Sequence, residues 1–406
     1  MRIRALTLFC NPGFPPNRLL LQQVGVFANH VSAALGKAGF PVASLRMATP
    51  PLGSFLTPAD LPHAAGVLAI ETHAEGFEYL ALGPARADHL EEYAQIPAIL
   101  GQSPALFASG FLTTPQHAIS LPAARACARV ITSLAGQEPD GFANLRFTAL
   151  ANTQPNGPFF PSAYAAPGAP AFALAIEGAD LALEAFTNAI SLEAARESLA
   201  ATITDKAKAI STVVAPLAKA YGIPFKGFDF TLAPFPDQAN SIALALEALG
   251  LPAFGLHGSL LASAFLTETL DRAEYPRVGF NGLMLPVLED SRLAELAGTD
   301  EINLQSLLTF SAVCGTGLDV IPLPGDTSAE ELFPLLLDVA ALALRLDKPL
   351  TARLMPIPGK RAGEMTSFGF EYFANAAIMP VHARPLHGLL NNAETLELRS
   401  RNPKAE

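Results

Sequence analysis

Residues 318–358 read LDVIPLPGDTSAEELFPLLLDVAALALRLDKPLTARLMPIP, and this stretch decides the fold class. A short apolar run at 318–323 is typical of a buried strand, and a Pro-Gly-Asp turn follows it. Ser328 and Glu331 then have the spacing of a capping box, which predicts the start of a helix. A second apolar run at 351–358 follows the helical stretch. The order strand, helix, strand predicts one unit of an alternating α/β fold.

The same alternation extends through most of the chain. Short apolar runs that we interpret as strands lie at 2–9, 41–47, 66–71, 77–83, 145–152, 171–177, 225–232, 253–256, 278–287, 318–323 and 351–358. Helical spacing or helix-boundary residues predict helices at 17–38, 86–97, 115–135, 180–220, 237–250, 258–273, 289–297, 303–310 and 328–347. Apolar strands covered by helices predict an α/β barrel or a doubly wound sheet.

The bulk composition indicates one large domain with a large core. The chain has 406 residues, of which 50% are hydrophobic, and its mean hydropathy is +0.32. The alternation continues without a break in composition, so we predict a single domain over 1–395 and a disordered tail over 396–406. The apolar surplus also leads us to expect a homo-oligomer, such as a homodimer.

The charge balance argues against two classes of partner. The formal net charge is -11, and the 26 basic residues are scattered along the chain. A nucleic-acid phosphate backbone or an anionic membrane surface selects clustered Lys and Arg, so we expect neither partner. No apolar run reaches the length of about 20 residues that a membrane span needs. The remaining expectation is a small-molecule ligand.

Cysteine usage points to a cytoplasmic protein without a zinc motif. Cys10, Cys127 and Cys314 are far apart, and no CxxC pair occurs. This pattern predicts free thiols in a reducing compartment rather than a disulfide framework. Neither a P-loop nor a GxGxxG turn follows a strand, so no nucleotide cofactor is indicated and the cofactor is unknown.

Cys314 is the first candidate for chemistry. It stands directly before Gly315-Thr316-Gly317, a stretch that permits tight turning at the start of the predicted strand. One interpretation makes Cys314 a nucleophile or redox group, with Asp319 as a nearby acid or base. The alternative is a small buried apolar residue.

Five further side chains are candidates because of where they stand relative to predicted strands. His257, between glycines at the end of 253–256, is a candidate general base, although it can equally be a hydrogen-bonded structural histidine. The candidates for substrate binding are Asp229 and Arg353 inside apolar strands, Asn281 in the run 278–287, and Glu71 at the end of 66–71.

A metal-binding alternative uses carboxylates. Glu289 and Asp290 follow the run 278–287 and, with Asp319, are possible ligands of a hard cation. The competing interpretation is that Glu289 and Asp290 complement the dipole of the helix that follows. We favour this second interpretation, and we therefore assign no metal.

Three segments carry a family resemblance: 303–360, 227–265 and 278–290. They resemble the uncharacterised DUF711 family, whose members are often called "PFL family" proteins. The resemblance implies a ten-stranded α/β barrel similar to those of pyruvate formate-lyase and ribonucleotide reductase. It also implies that Cys314 corresponds to the cysteine on the loop inside those barrels. The Arg-Val-x-Gly-Tyr signature of glycyl-radical enzymes does not occur, so we expect no glycyl radical.

Together these features predict a cytoplasmic enzyme that acts on a small polar molecule in a barrel cavity. Cys314 would lie on the inner loop. The reaction class stays open between a cysteine-dependent lyase, isomerase and hydrolase. Two alternatives are a metabolite-binding protein without catalysis and, ranked lower, a metal-dependent hydrolase.

Overall fold

A computed structural model of the chain describes residues 1–57, 60–313 and 315–401. Within these ranges the protein has a mixed α/β fold, with nine strands in one mostly parallel sheet and eleven α-helices. The predicted α/β class is therefore confirmed. Among the described residues, no helix combines the length and the apolar character needed to cross a bilayer.

The strands are β1 (Arg2–Phe9), β2 (Leu45–Pro51), β3 (Tyr79–Gly83), β4 (Leu106–Phe111), β5 (Ala118–Ser120), β6 (Phe147–Ala151), β7 (Ala171–Glu177), β8 (Phe225–Ala233), β9 (Gly317–Pro324), β10 (Leu350–Ile357) and β11 (Thr395–Glu397). The helices are α1 (Arg18–Lys37), α2 (Leu61–Ala74), α3 (Leu90–Leu100), α4 (Leu121–Ala135), α5 (Ala179–Thr187), α6 (Leu192–Tyr221), α7 (Ile242–Glu247), α8 (Ser259–Arg272), α9 (Ser291–Leu296), α10 (Leu304–Ser311) and α11 (Ala329–Leu346).

The large sheet has the order β8-β7-β1-β2-β3-β4-β6-β10-β9. The central strands β1, β2, β3, β4 and β6 are mutually parallel. The sheet reverses direction at β7, which is antiparallel to β1, and at β10, which is antiparallel to β6. The outer strands β8 and β9 are parallel to their neighbours β7 and β10. The amino ends of the central strands therefore lie at the same edge as the carboxyl ends of the outer strands.

The elements with the clearest local sequence signals have bounds close to the predicted ones. β1 and β7 coincide with the predicted runs 2–9 and 171–177, and α11 begins after the predicted capping box. The Ser328 Oγ accepts a hydrogen bond from the Glu331 N–H at 3.3 Å, and the Glu331 Oε2 accepts one from the Ser328 N–H at 2.9 Å. Both ends of this box satisfy backbone donors that the helix leaves free.

Two predicted strands are wrong. The run 66–71 lies inside α2, where Leu68 and Ala69 are buried but Ile70 is exposed, so this apolar run belongs to a helix and not to a strand. Residues 253–256 form turns rather than a strand. The φ angles of Gly255 and Gly258 are +109° and +107°. Positive φ angles of this size interrupt the extended backbone that a strand needs.

The run 278–287 was also predicted as a strand, and it forms none over its length among the described residues. Near the two ends of this run the chain forms two isolated parallel β-bridges, Phe228 with Arg277 and Pro286 with Asp319. Proline at 286 removes a ladder donor, since it has no N–H. The segment 277–286 thus contacts β8 at one end and β9 at the other.

The two faces of the sheet have different partners. Leu6 and Leu8 on β1 belong to the main hydrophobic core under the helices, while Ala5, Thr7 and Phe9 project to the opposite face, as the two-residue period of a strand requires. The long loop 152–170 covers that opposite face. The Thr7 hydroxyl donates to the carbonyl of Pro158 at 2.8 Å.

The carboxyl terminus crosses the outside of the domain. β11 pairs antiparallel with β5, with Leu396 opposite Ile119. The Arg401 N–H donates to the carbonyl of Arg345 at 3.0 Å. The tail predicted to start at residue 396 thus begins within β11, and residues 402–406 lie outside the described part of the chain.

Candidate functional site

A cavity of about 1110 Å³ lies on the loop-covered face of the sheet. Arg46 and Tyr79, at the starts of β2 and β3, line it, as does Ala233 at the end of β8. The cavity therefore lies at the edge where central strands begin and outer strands end. Its mouth includes the exposed residues Ile70 and Glu78.

Arginine and carboxylate side chains are concentrated beside this cavity, although the chain has few charges overall. Arg353 on β10 makes a two-pronged contact with Asp319 on β9, from Nε to Oδ1 at 2.7 Å and from Nη2 to Oδ2 at 3.0 Å. The Nη2 of Arg353 also donates to the Glu289 Oε1 at 3.0 Å. All three residues are buried. Burial opposes the charge of the guanidinium, but the two carboxylates outweigh it and raise the pKa of Arg353.

Arg4 continues this network from β1. Its guanidinium donates to the carboxylate of Glu177 at the end of β7, and its Nη2 lies 3.7 Å from the Glu289 Oε2. The guanidinium also lies over the ring of Tyr372, 4.5 Å from the centroid. A register shift between Ile3 and Ala5 interrupts the pairing of β1 with β7 at this point. Such irregularities re-aim side chains, and this one occurs at Arg4.

Arg46 differs from the other arginines of the cavity. Its Nε donates to the Ser44 hydroxyl at 2.8 Å, and its guanidinium lies over the rings of Phe160 and Tyr79, at 5.2 and 5.6 Å from their centroids. Among the described residues, no carboxylate oxygen lies within 4.0 Å of it. Burial, followed by the positive charge of Arg4, lowers the pKa of Arg46 to about 10.

Aromatic rings form much of the cavity wall. Phe107 contacts Tyr79 edge to face with 5.6 Å between centroids, and it contacts Phe160 at 5.3 Å. Phe160 comes from the covering loop 152–170, whose sequence is rich in proline and aromatic residues. The loop is thus part of the wall, and it excludes water from one side of Arg46.

The structure brings together two pairs of predicted site residues, Asp319 with Arg353 and Asp229 with Asn281, and of these four Arg353 lines the cavity. His257 lies on an exposed turn before α8 and is not part of the cavity lining. Cys314 lies outside the described residues, so its predicted place on an inner loop is not described. His257 and Asp319 were predicted to share one site, and neither of them is part of the cavity lining.

Asp229 and Asn281 instead hold the segment 277–286 against β8. The buried carboxylate of Asp229 accepts hydrogen bonds from the Phe280 N–H at 2.7 Å, from the Asn281 N–H at 2.9 Å and from the Thr231 hydroxyl. The Asn281 Oδ1 accepts from the Phe230 N–H at 3.0 Å. Burial raises the pKa of Asp229 from 3.8 to about 6, although the three donors oppose this rise.

Glu71 lies on α2 and pairs with Arg18, with 2.5 Å between Arg18 Nη2 and Glu71 Oε1. It is not part of the cavity lining. Its predicted position at the end of a strand is wrong because α2 includes residues 66–71.

The carboxylates of the metal alternative are used in other ways. The Asp290 oxygens accept from the N–H groups of Ile242 and Leu293, at 2.6 and 3.0 Å, so one side chain caps both α7 and α9. Glu289 and Asp319 bind Arg353 instead. Within the ranges that the structure describes, no group of three or more potential ligands is arranged to hold a metal ion.

Sequence reasoning missed Arg4, Glu177 and Arg46. All three stand in alternating strand sequences, RIRALTLF, AFALAIE and PVASLRM, where apolar residues occupy the other face. A charge on one face of such a strand predicts either a solvated face or a polar interior. The sequence alone does not distinguish a solvated face from a polar interior. The position of loop 152–170 over this face of the sheet does.

Comparison with known proteins agrees with the resemblance seen in the sequence. A family model described as "Uncharacterised ACR (DUF711)" matches residues 2–375. A UPF0210 protein of Pyrobaculum aerophilum is 31% identical over 375 residues, covering 86% of this chain and 81% of that protein. UPF0210 proteins of Oleidesulfovibrio alaskensis and Lactiplantibacillus plantarum are 27% and 26% identical, covering 88% and 85% of this chain and 84% and 80% of their own lengths. The chain therefore belongs to the DUF711 family.

Proposed function

We propose that the chain closes into a ten-stranded α/β barrel, with the segment 277–286 in the place of the tenth strand. The bridge pairs to Phe228 and Asp319 support this closure, because they join the segment to both edge strands of the nine-stranded sheet. Both bridges are parallel, so the segment runs with β8 and β9. Five strands then point one way and five the other, and their total equals the ten strands that the resemblance implies.

We propose that this barrel binds a small polar molecule in the cavity beside Arg4, Arg46 and Arg353. The single observation that carries the proposal is the cavity itself, about 1110 Å³ in volume and lined by both charged and aromatic side chains. Ligand sites are typically concave and mostly apolar, with a few polar groups that fix the ligand. One buried and two half-buried arginines beside an open cavity supply polar groups of this kind.

An enzymatic role for this cavity rests on Cys314 and stays a prediction. The histidine that we expected beside it, His257, lies on an exposed turn, so the base would have to be another group. Metabolite binding, which we first treated as the alternative, therefore becomes the first proposal.

We also keep two proposals that come from the sequence, a cytoplasmic location and a homo-oligomer. Free, buried Cys10 and Cys127 support the first. Highly exposed apolar residues, such as Ile190 at 98% and Leu389 at 86%, support the second. Light scattering on the purified protein measures the oligomeric state directly.

A thermal-shift screen of the full chain against a collection of small metabolites tests the binding proposal. A ligand that binds only the folded protein raises the midpoint of unfolding, and at high concentration the stabilisation rises with the logarithm of the ligand concentration relative to Kd. The matched variants are Ala43→Trp, which places a large ring at the cavity lining, and Ala33→Trp, which places the same ring on the exposed face of α1.

We expect at least one metabolite to stabilise the wild-type protein and the Ala33→Trp variant, but not the Ala43→Trp variant. A screen without any stabilising metabolite contradicts the proposal. So does a metabolite that stabilises both variants equally, since it would bind elsewhere.

A further inference from the structure

We propose that the ligand of this cavity is a small organic anion, with a carboxylate or phosphate group, and that Arg46 binds its charged group. This inference rests on the proposed function and goes beyond it by naming the class of ligand and the residue that selects it. Arg46 is a binding residue here, and no bond is made or broken.

The first argument is the difference between Arg46 and its neighbours. Arg4 and Arg353 each contact protein carboxylates, Glu177 in one case and Asp319 with Glu289 in the other. Among the described residues, Arg46 has no carboxylate within 4.0 Å, and its two terminal nitrogens donate no hydrogen bond. A guanidinium has five N–H donors, and the four on the terminal nitrogens of Arg46, which lines the cavity, meet no acceptor among the described protein groups. A ligand anion would use them.

The second argument is that Arg46 is held in place before any ligand arrives. The Ser44 hydroxyl accepts from the Arg46 Nε and itself donates to the carbonyl of Arg4 at 3.1 Å. The rings of Tyr79 and Phe160 lie against the plane of the guanidinium. The two terminal nitrogens have no acceptor among the described residues, and together they form a fork that can bind carboxylate or phosphate oxygens in pairs.

The charge of Glu289 on the cavity lining acts on Arg46, but Glu289 is bound by Arg353, and the exposed Glu78 on the same lining is also engaged. Its Oε1 accepts from the Leu45 N–H at 3.3 Å, and its side chain is exposed at the mouth. A surface carboxylate of this kind would add little as an ion-pair partner even if it rotated toward Arg46. Glu78→Gln is therefore a suitable control, since it removes the charge without touching the fork.

The wall beyond Arg46 suggests what else the ligand carries. Phe107, Phe159 and Phe160 line the cavity within the same region, and Met284 adds a further apolar contact. A flat or apolar body attached to the charged group would pack against these side chains.

Three fluorinated probes that share one ring test this inference: 4-fluorophenylacetate, 4-fluorophenyl phosphate and the neutral 4-fluorophenylacetamide. Binding of each probe to the full chain is measured by fluorine NMR, for the wild-type protein and for Arg46→Gln and Glu78→Gln. We expect at least one anionic probe to bind the wild type at least about tenfold more tightly than the amide, as charge-assisted hydrogen bonds do. We expect Arg46→Gln to lose this preference and Glu78→Gln to keep it.

The relative affinities of the acetate and the phosphate then identify which anion the fork prefers. The inference is overturned if neither anion binds more tightly than the amide, including the case in which none of the three binds. It is also overturned if Arg46→Gln keeps the preference. A metabolite that passes the Ala43→Trp test but is neutral would overturn this inference alone and leave the binding proposal standing.

Discussion

The guanidinium of Arg353 and the carboxylate of Asp319 form a two-pronged ion pair between neighbouring strands, with N–O distances of 2.7 and 3.0 Å. The pair is buried beside the cavity, and Glu289 completes it. Replacing Arg353 by Met would leave the buried Asp319 without a counter-charge and Glu289 with only its 3.7 Å contact to Arg4. We expect Arg353→Met to lower the free energy of unfolding by about 3–5 kcal/mol, measured by urea denaturation.

The matched control is Arg399→Met. Arg399 pairs with Glu397, and both side chains are mostly exposed, at 88% and 66%. Exposed pairs contribute little, so we expect no measurable change. An equal change in the free energy of unfolding for Arg353→Met and Arg399→Met would show that burial of the Arg353 ion pair does not affect stability.

Asp290 joins two helix starts through one carboxylate, and this arrangement predicts an unusually large capping effect. Besides Ile242 and Leu293, the carboxylate accepts from the Ser241 hydroxyl at 2.7 Å and the Arg292 N–H at 2.9 Å. We expect Asp290→Ala to cost about 2–4 kcal/mol in unfolding free energy, because two caps and several buried donors lose their acceptor.

Asp237 provides the comparison for Asp290. It also caps a short helix, accepting from the Asn240 N–H at 2.9 Å, but it is exposed to solvent. We expect Asp237→Ala to lower the free energy of unfolding clearly less than Asp290→Ala does. An equal loss would refute the explanation that Asp290 has a large effect because it caps two helices.

Asp229 predicts a pH dependence of stability with a definite sign. Burial raises its pKa from 3.8 to about 6, so the folded protein binds this proton more tightly than the unfolded chain does. Stability should therefore fall as the pH rises from about 4 to 6, by up to about 3 kcal/mol from this group, and stay level above that range. In Asp229→Asn this contribution is absent. Urea denaturation of both proteins between pH 4 and 7 measures the difference, and parallel curves would contradict the prediction.

The three thiols should differ in reactivity if Cys314 is a functional group. Burial raises the pKa of Cys10 to about 12 and raises that of Cys127 as well, so neither forms much thiolate at neutral pH. We expect iodoacetamide to modify Cys314 at least about tenfold faster than the other two in the native protein, as followed by peptide mass spectrometry. Cys314→Ser should abolish the fast reaction, and uniformly slow modification would remove the case for catalysis by Cys314.

Local patterns in the sequence predicted most of the fold, because strand alternation and caps act over a few residues. The strand at 2–9 and the helix that starts after Ser328 are examples. β4 was missed because its sequence, LFASGF, has small residues where strands usually carry β-branched ones. The prediction of a strand at 278–287 was wrong because the pairing of this segment depends on neighbours more than 30 residues away in the sequence.

The site was harder to predict than the fold. Asp319 and Arg353 were each identified as a charge in an apolar strand, but their contact depends on the register of β9 against β10. Arg46 was missed because nothing near it in the sequence marks the loop that covers it. His257 was chosen for its flanking glycines, and those glycines instead form an exposed turn.

A crystal structure of the full chain soaked with 4-bromophenylacetate tests the central proposal most directly. The proposal predicts an anomalous bromine peak inside the cavity near Phe107 and Phe160, with the carboxylate of the probe on the terminal nitrogens of Arg46. A cavity without the probe, with Arg46 paired to a carboxylate of the protein itself, would contradict it.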